Sequence, residues 1–239
     1  MKSTFPGFSP GALSFLRNLK RNNRREWFQQ RKEQYETLIR MPMLELAGCL
    51  SQEFARIAPA YVTPPAKAVY RIYRDTRFSP DKTPYKTHIA AIFPRNTAVK
   101  REGAVFYMHF TATELLAFGG VYQPDREELL AYRSLIQEGY QELEKILRGK
   151  KLRQLAGPLQ GARLSRVPKG FPADHPADAL LRQKQWYLES NLDIAFITSP
   201  KLVSELGKRF QAMLPFVEFM NRAVVSRRPA TKEMAFPFF

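Results

Sequence analysis

The stretch "AVFYMHFTATELLAFGGVY", residues 104–122, decides the fold. It is nearly long enough to cross a bilayer as a helix, which takes about 20 apolar residues. Yet it holds His109 and Glu114, a polar Thr111-Ala112-Thr113 break, and many β-branched and aromatic residues. That texture predicts a buried hairpin in a protein with no membrane span. Side chains alternate along a strand. Ala104, Phe106, Met108 and Phe110 therefore share one face, and Val105, Tyr107 and His109 the other. The first face reads as core. The second is mixed and could line a pocket.

Working outward, "KAVYRIY" (67–73), "THIAAIF" (87–93), "GAVFYMHF" (103–110) and "LLAFGGVY" (115–122) have the composition and spacing of four strands in an antiparallel meander. "QWYLESNL" (185–192) reads as a later strand, with Trp186 in the core. Gly119-Gly120 reads as a bulge or turn. Helical periodicity surrounds this block. Ser9-Pro10 predicts a helix start, and Ser199-Pro200 predicts another. Asn23 is a candidate cap, with Glu26 completing a capping-box pattern. Trp27, Phe28, Tyr35, Leu38 and Ile39 form the apolar side of that helix. Pro42 should kink or restart it, Gly139 should interrupt the helix after Pro124, and Pro215 should bend the last one. Helices before and after a run of strands predict an α+β fold, an antiparallel meander covered by N- and C-terminal helices. We expect one domain over 1–225 and a docked basic-aromatic tail over 226–239.

The chain has 239 residues and a formal net charge of +16. With 44% hydrophobic residues it can bury a sizeable core. The single cysteine, Cys49, sits at an apolar helical position, excludes an intramolecular disulfide and suits a reducing compartment. The opening residues carry prolines and serines where a signal peptide needs an apolar run. A cytoplasmic location is the expectation. The charge is regional: residues 67–101 carry nine Lys or Arg against two acids, whereas 102–199 are balanced. Regional positive charge attracts polyanions or phosphorylated ligands, but it also describes an ordinary solvated surface.

The charge is densest in "RIYRDTRFSPDKTPYKTH", residues 71–88, where Arg71, Arg74, Arg77, Lys82 and Lys86 surround only Asp75 and Asp81. Arg71, Arg74-Asp75, Arg77-Phe78, Lys82 and Pro84-Tyr85 follow the pattern R-x-x-R-D-x-R-F-x-x-x-K-x-P-Y. In this pattern the chain resembles the family of domain of unknown function 2461, found in bacteria with related regions in fungi. "FPGFSPGALSFLRNLKRNNRREWF" and "RVPKGFPADHPADALLRQKQWY" extend the resemblance over nearly the whole chain. It implies a shared fold and a shared special site, and no established reaction.

Guanidinium forks suit phosphate or carboxylate, and ammonium groups act as point charges. Arg71, Arg74, Arg77, Lys82 and Lys86 are therefore candidate binding residues for an anionic small molecule or phosphate. The competing reading is an ion network, Arg74–Asp75 and Arg77–Asp81, that pins the loop with Phe78 and Tyr85 as anchors. Tyr85, His88 and His109 are candidates for moving protons, and Asp75 for orienting an arginine. A half-buried strand histidine with one hydrogen bond is the plainer reading of His88 and His109, and a helix cap that of His175. Arg163, Arg166 and Lys169 could add a second basic edge. No metal-ligand spacing, Walker loop or G-x-S-x-G elbow occurs, and no cofactor is implied by the sequence. Three functions compete: an enzyme for a phosphorylated small molecule, a nucleic-acid-binding module with Tyr70, Tyr73, Phe78 and Tyr85 as stacking rings, and a scaffold whose arginines only latch.

Overall fold

A computed structural model describes residues 5–96 and 103–225; the tail expected to dock, 226–239, lies outside the described residues. The 104–122 run folds as the expected hairpin. β1 (Ile89–Phe93), β2 (Val105–Phe110), β3 (Leu115–Val121) and β4 (Trp186–Leu192) form one antiparallel sheet in the order β1-β2-β3-β4. Cross-strand rows are set by the register. Ala90, His109, Leu116 and Asn191 make one row, and Ile92, Tyr107, Phe118 and Glu189 the next. The opposite face carries Phe93, Phe106, Met108 and Leu188, all fully buried.

Helices surround the strand block in sequence. They are α1 (Pro10–Arg21), α2 (Arg25–Gln29), α3 (Lys32–Tyr35), α4 (Met41–Ile57), α5 (Pro65–Ala68), α6 (Arg126–Leu147), α7 (Lys150–Ala156), α8 (Asp178–Leu181) and α9 (Leu202–Val225). The fold is α+β, with helices flanking the sheet. Pro10 opens α1 as expected, although the Ser9 side chain makes no cap hydrogen bond. Pro42 lies in the first turn of α4, just after a π-helical turn over Glu36–Arg40. α6 leaves helical geometry at Gly139, and Cys49 is buried in α4. α9 packs against β2 and β3 and also against α4, α6 and α7. Its close approach explains the first glycine of the Gly119-Gly120 pair, and β4 the second. A Cβ on Gly119 would stand 2.9 Å from the Met213 sulfur, and Gly120 has φ of 140° against the neighbouring Trp186 carbonyl. Both glycines are paired inside β3, so the expected bulge or turn is absent there.

The expected strand over 67–73 does not form. Its first residues belong to α5, and the rest of the segment makes only two isolated bridges, Val69 to Ala91 and Tyr73 to Tyr85. Four steps of chain on one side thus face six on the other. The two extra residues break the ladder between Lys86 and Ala90, as a bulge does. Residues 69–91 therefore form an irregular two-chain ribbon, tied by Tyr70 N–H to the Ala90 carbonyl, Lys86 N–H to Ile72, and Arg74 N–H to Pro84. The ribbon's base continues the β1 edge and its tip lies around residues 75–82.

Asn23 holds this ribbon rather than capping a helix. Its Nδ2 donates to the Tyr85 carbonyl at 2.8 Å, and its Oδ1 accepts from the Tyr85 N–H at 3.0 Å. Arg24 takes the position before α2, with no side-chain cap. The Tyr85 ring stacks on Phe28 with centroids 4.1 Å apart. A capping box does form at Asp125 and Glu128, at the start of α6. Asn23→Ala strands both Tyr85 backbone groups, and a buried unpaired group costs about 1–3 kcal/mol. Urea unfolding should register a loss of that size, with Asn23→Asp intermediate because it keeps the acceptor. An unchanged midpoint for Asn23→Ala would show that the clip does not hold the ribbon.

Candidate functional site

The mixed face of β2 lines a cavity of about 720 Å³. Its floor is apolar: Ala90 and Ile92 from β1, Val105 from β2, Leu116 and Phe118 from β3. Aromatic rings continue across it. Tyr70 meets Tyr107 at 6.4 Å, Tyr107 meets Phe118 edge-on at 6.2 Å, and Phe118 stacks on Tyr187 at 5.1 Å. The polar groups lie toward the ends. Lys86, His88 and His109 stand toward one end, and Gln123 and Glu189 also line the wall. Lys86 Nζ rests 4.9 Å from the Tyr70 ring centroid, a cation–π contact that holds the charge over the cavity.

The break in the ribbon sets this arrangement. Ala90 and Ile92 alternate along β1 to face the cavity, and the bend at residues 87–88 leaves Lys86 and His88 lining it as well. The His88 and His109 rings are 5.5 Å apart, and His109 Nε2 is 3.9 Å from a Glu114 oxygen. Burial lowers the His88 pKa from the ordinary 6.5 to about 4, helped by His109 and Lys86. Burial also lowers that of His109, outweighing the Glu114 carboxylate. Both imidazoles are therefore neutral at pH 7, each with one nitrogen able to accept and one able to donate. Burial and nearby Glu114 push the Glu189 carboxyl up.

The arginines of 71–88 do not converge on this cavity. Arg74 bonds Asp81 and the Thr83 hydroxyl. Arg77 grips Asp75 with two bonds, Nε to Oδ1 at 3.0 Å and Nη2 to Oδ2 at 2.8 Å. The expected partners are thus exchanged: Arg74 faces Asp81 across the ribbon, while Asp75 closes a tight turn with Arg77. Lys82 Nζ donates to the Thr76 carbonyl at 3.0 Å. Arg71 is exposed and makes no salt bridge among the described residues. The Arg77 bonds hold the Asp75 carboxyl down to about 2, and the Thr83 N–H together with Arg74 does the same for Asp81. Tyr85 is buried against Phe28 and does not line the cavity, and burial raises its pKa.

Of the proposed site residues, the fold brings Lys86, His88 and His109 together at one cavity. It keeps Asp75, Arg71, Arg74, Arg77 and Lys82 on the ribbon's arm, and Tyr85 in the core. Arg163, Arg166 and Lys169 do not line the cavity either. His175 does not cap α8 as expected: its Nδ1 accepts the Ala177 N–H at 3.0 Å, and Ala177 itself stands at the cap position with no side-chain cap bond. The sequence reading missed Gln123 and Glu189 as wall residues and Tyr122 as a ring beside them. For Glu189 the signal was alternation: it occupies a strand position beside Phe118, but only the register of β4 puts it there.

These shifts define two pH windows. Unfolded, His88 takes up a proton near its ordinary 6.5; folded, only near about 4. The unfolded chain binds more protons between these values, so stability falls as pH drops through that window. Asp75 and Asp81 act lower. Their folded pKa lies at about 2 against 3.8, so their contribution is full above 3.8 and is lost as pH falls toward 2. His88→Gln should shrink the upper window in a stability-versus-pH series to the part that His109 contributes, and leave the lower one in place. Proton NMR should find the His88 imidazole neutral at pH 5.5; a midpoint at or above 6.5 would contradict the buried geometry.

No curated protein matches the chain. The family model described as a conserved hypothetical protein (DUF2461) matches residues 11–219. This match spans the α1 region, the ribbon, the whole sheet and most of α9, and on that extent the chain belongs to the DUF2461 family of conserved hypothetical proteins.

Proposed function

We propose that the protein binds a small organic anion with a flat apolar body in the cavity on the open sheet face. One observation carries this reading: an aromatic and aliphatic floor ends at Lys86, His88 and His109. Binding cavities are mostly apolar with a few placed polar groups that fix orientation. Here the rings would bury the body of the ligand, and Lys86 would meet its carboxylate or phosphate. Neutral His88 and His109 supply hydrogen bonds to the same end. The arginines of 71–88 then act mainly as a latch. Arg74–Asp81 and Arg77–Asp75 shape the arm, and the arm's root delivers Lys86 and His88.

The imidazoles also support a second reading, in which the bound anion is turned over. A group neutral at pH 7 can accept a proton from a ligand, as a general base does. Binding is prior to either reading and is tested first. The probe 8-anilinonaphthalene-1-sulfonate joins flat rings to one anionic group; N-phenyl-1-naphthylamine is its uncharged counterpart. The folded protein should enhance the fluorescence of the sulfonate probe and bind it at least about ten-fold more tightly than the neutral one. Lys86→Met should erase that preference, since one lost ion contact of about 1.4 kcal/mol is ten-fold in affinity. Equal binding of both probes, insensitive to Lys86→Met, would overturn the proposal.

A further inference from the structure

Beyond the cavity, a second hollow of about 540 Å³ lies between the start of α2 and the ribbon's arm. Arg24, Arg25 and Glu26 form one wall, and Thr76, Lys82 and Thr83 the other. Three cations thus face one acid. Arg24 and Arg25 are exposed and make no salt bridge among the described residues. The arm's own acids cannot neutralise them, because Asp75 is held by Arg77 and Asp81 by Arg74. Lys82 is held by the Thr76 carbonyl, which is neutral, so its charge persists.

Two residues along from Thr76 stands Phe78, 93% exposed. The Arg77 guanidinium lies 5.8 Å from its ring centroid. A phenylalanine held in water at the tip of an ion-paired loop has no folding role to explain it. Ring and groove together have the two parts of a single-strand site: cations that track a backbone and an aromatic face on which a base stacks. We infer that the arm and the start of α2 form a site for single-stranded nucleic acid, with Arg24, Arg25 and Lys82 on phosphates and Phe78 stacking a base. An anionic membrane fits less well. Interfacial binding scales with buried apolar area, and Phe78 and half-exposed Tyr73 are the large exposed apolar side chains that the arm offers.

The test is fluorescence anisotropy of a labelled oligodeoxythymidylate of about 15 nucleotides with the full chain. Three phosphate contacts predict a slope of about −2 in log affinity against log salt for a single strand. Affinity should then fall about 20-fold between about 50 and about 200 mM salt. Arg24→Glu with Arg25→Glu should abolish binding. Phe78→Ala should weaken it about ten-fold at an unchanged salt slope, which separates stacking from charge. All three side chains are exposed, so these variants should unfold at the wild-type temperature. The proposal fails if the oligonucleotide does not bind, or if binding ignores salt or the arginine pair. It fails too if the chain sediments with phosphatidylserine vesicles through Phe78 while leaving the oligonucleotide free.

Discussion

A four-stranded sheet has two faces to shelter, and among the described residues the long helix α9 covers one of them. α9 lies along β2 and β3, close enough to demand glycine at position 119. The other face carries Ile92, Leu116 and Phe118, each less than a tenth exposed and each lining the cavity. Their cover comes from rings: Tyr107 from the sheet itself, Tyr122 and Tyr187 toward one edge, Tyr70 from the ribbon at the other. Rings that stand around a face rather than across it leave a hollow. The cavity is thus a consequence of that cover by rings, and the ribbon is the part of the fold that gives it chemistry.

The ribbon is also the least regular segment, and its position depends on a few contacts. Asn23 clips the Tyr85 backbone, and Phe28 stacks on the Tyr85 ring. Ion pairs between exposed groups contribute little, roughly 0–1 kcal/mol each. Arg77–Asp75 and Arg74–Asp81 therefore shape the arm more than they stabilise the fold. Their geometric effect is to consume both acids of the arm. Lys86 lines the cavity, and Lys82 with Arg24 and Arg25 lines the outer groove.

Much of this was legible in sequence, and the failures have physical causes. The hairpin over 104–122 came from its polar break and its β-forming residues, and its two faces from alternation, because Phe106, Met108 and Phe110 differ sharply from Val105, Tyr107 and His109. The false strand at 67–73 had the right composition. What it lacked was an unbroken partner, and a two-residue mismatch with 85–91 is a pairing property that no single segment displays. Asn23 looked like a cap because capping residues and long-range backbone clips use the same side chain. The arginine pairs were exchanged because nearest-in-sequence is a poor guide across a ribbon, where Arg74 and Asp81 face each other. Lys86, His88 and His109 could be named from the sequence; the β1–β2 register, which sets Ala90 opposite His109, fixes how near the two histidine rings lie.

The central claim is that the ligand end of this protein is the cavity, with Lys86 and His88 at its rim, and that Arg74 and Arg77 serve the arm. Two-dimensional NMR of the labelled chain during titration with 8-anilinonaphthalene-1-sulfonate addresses it most directly. Perturbed signals should cluster on Lys86, His88, Tyr107, His109, Phe118 and Gln123, with the Arg74 and Arg77 side-chain signals unmoved. Perturbation centred on Arg74 and Arg77, with the cavity residues silent, would contradict the account.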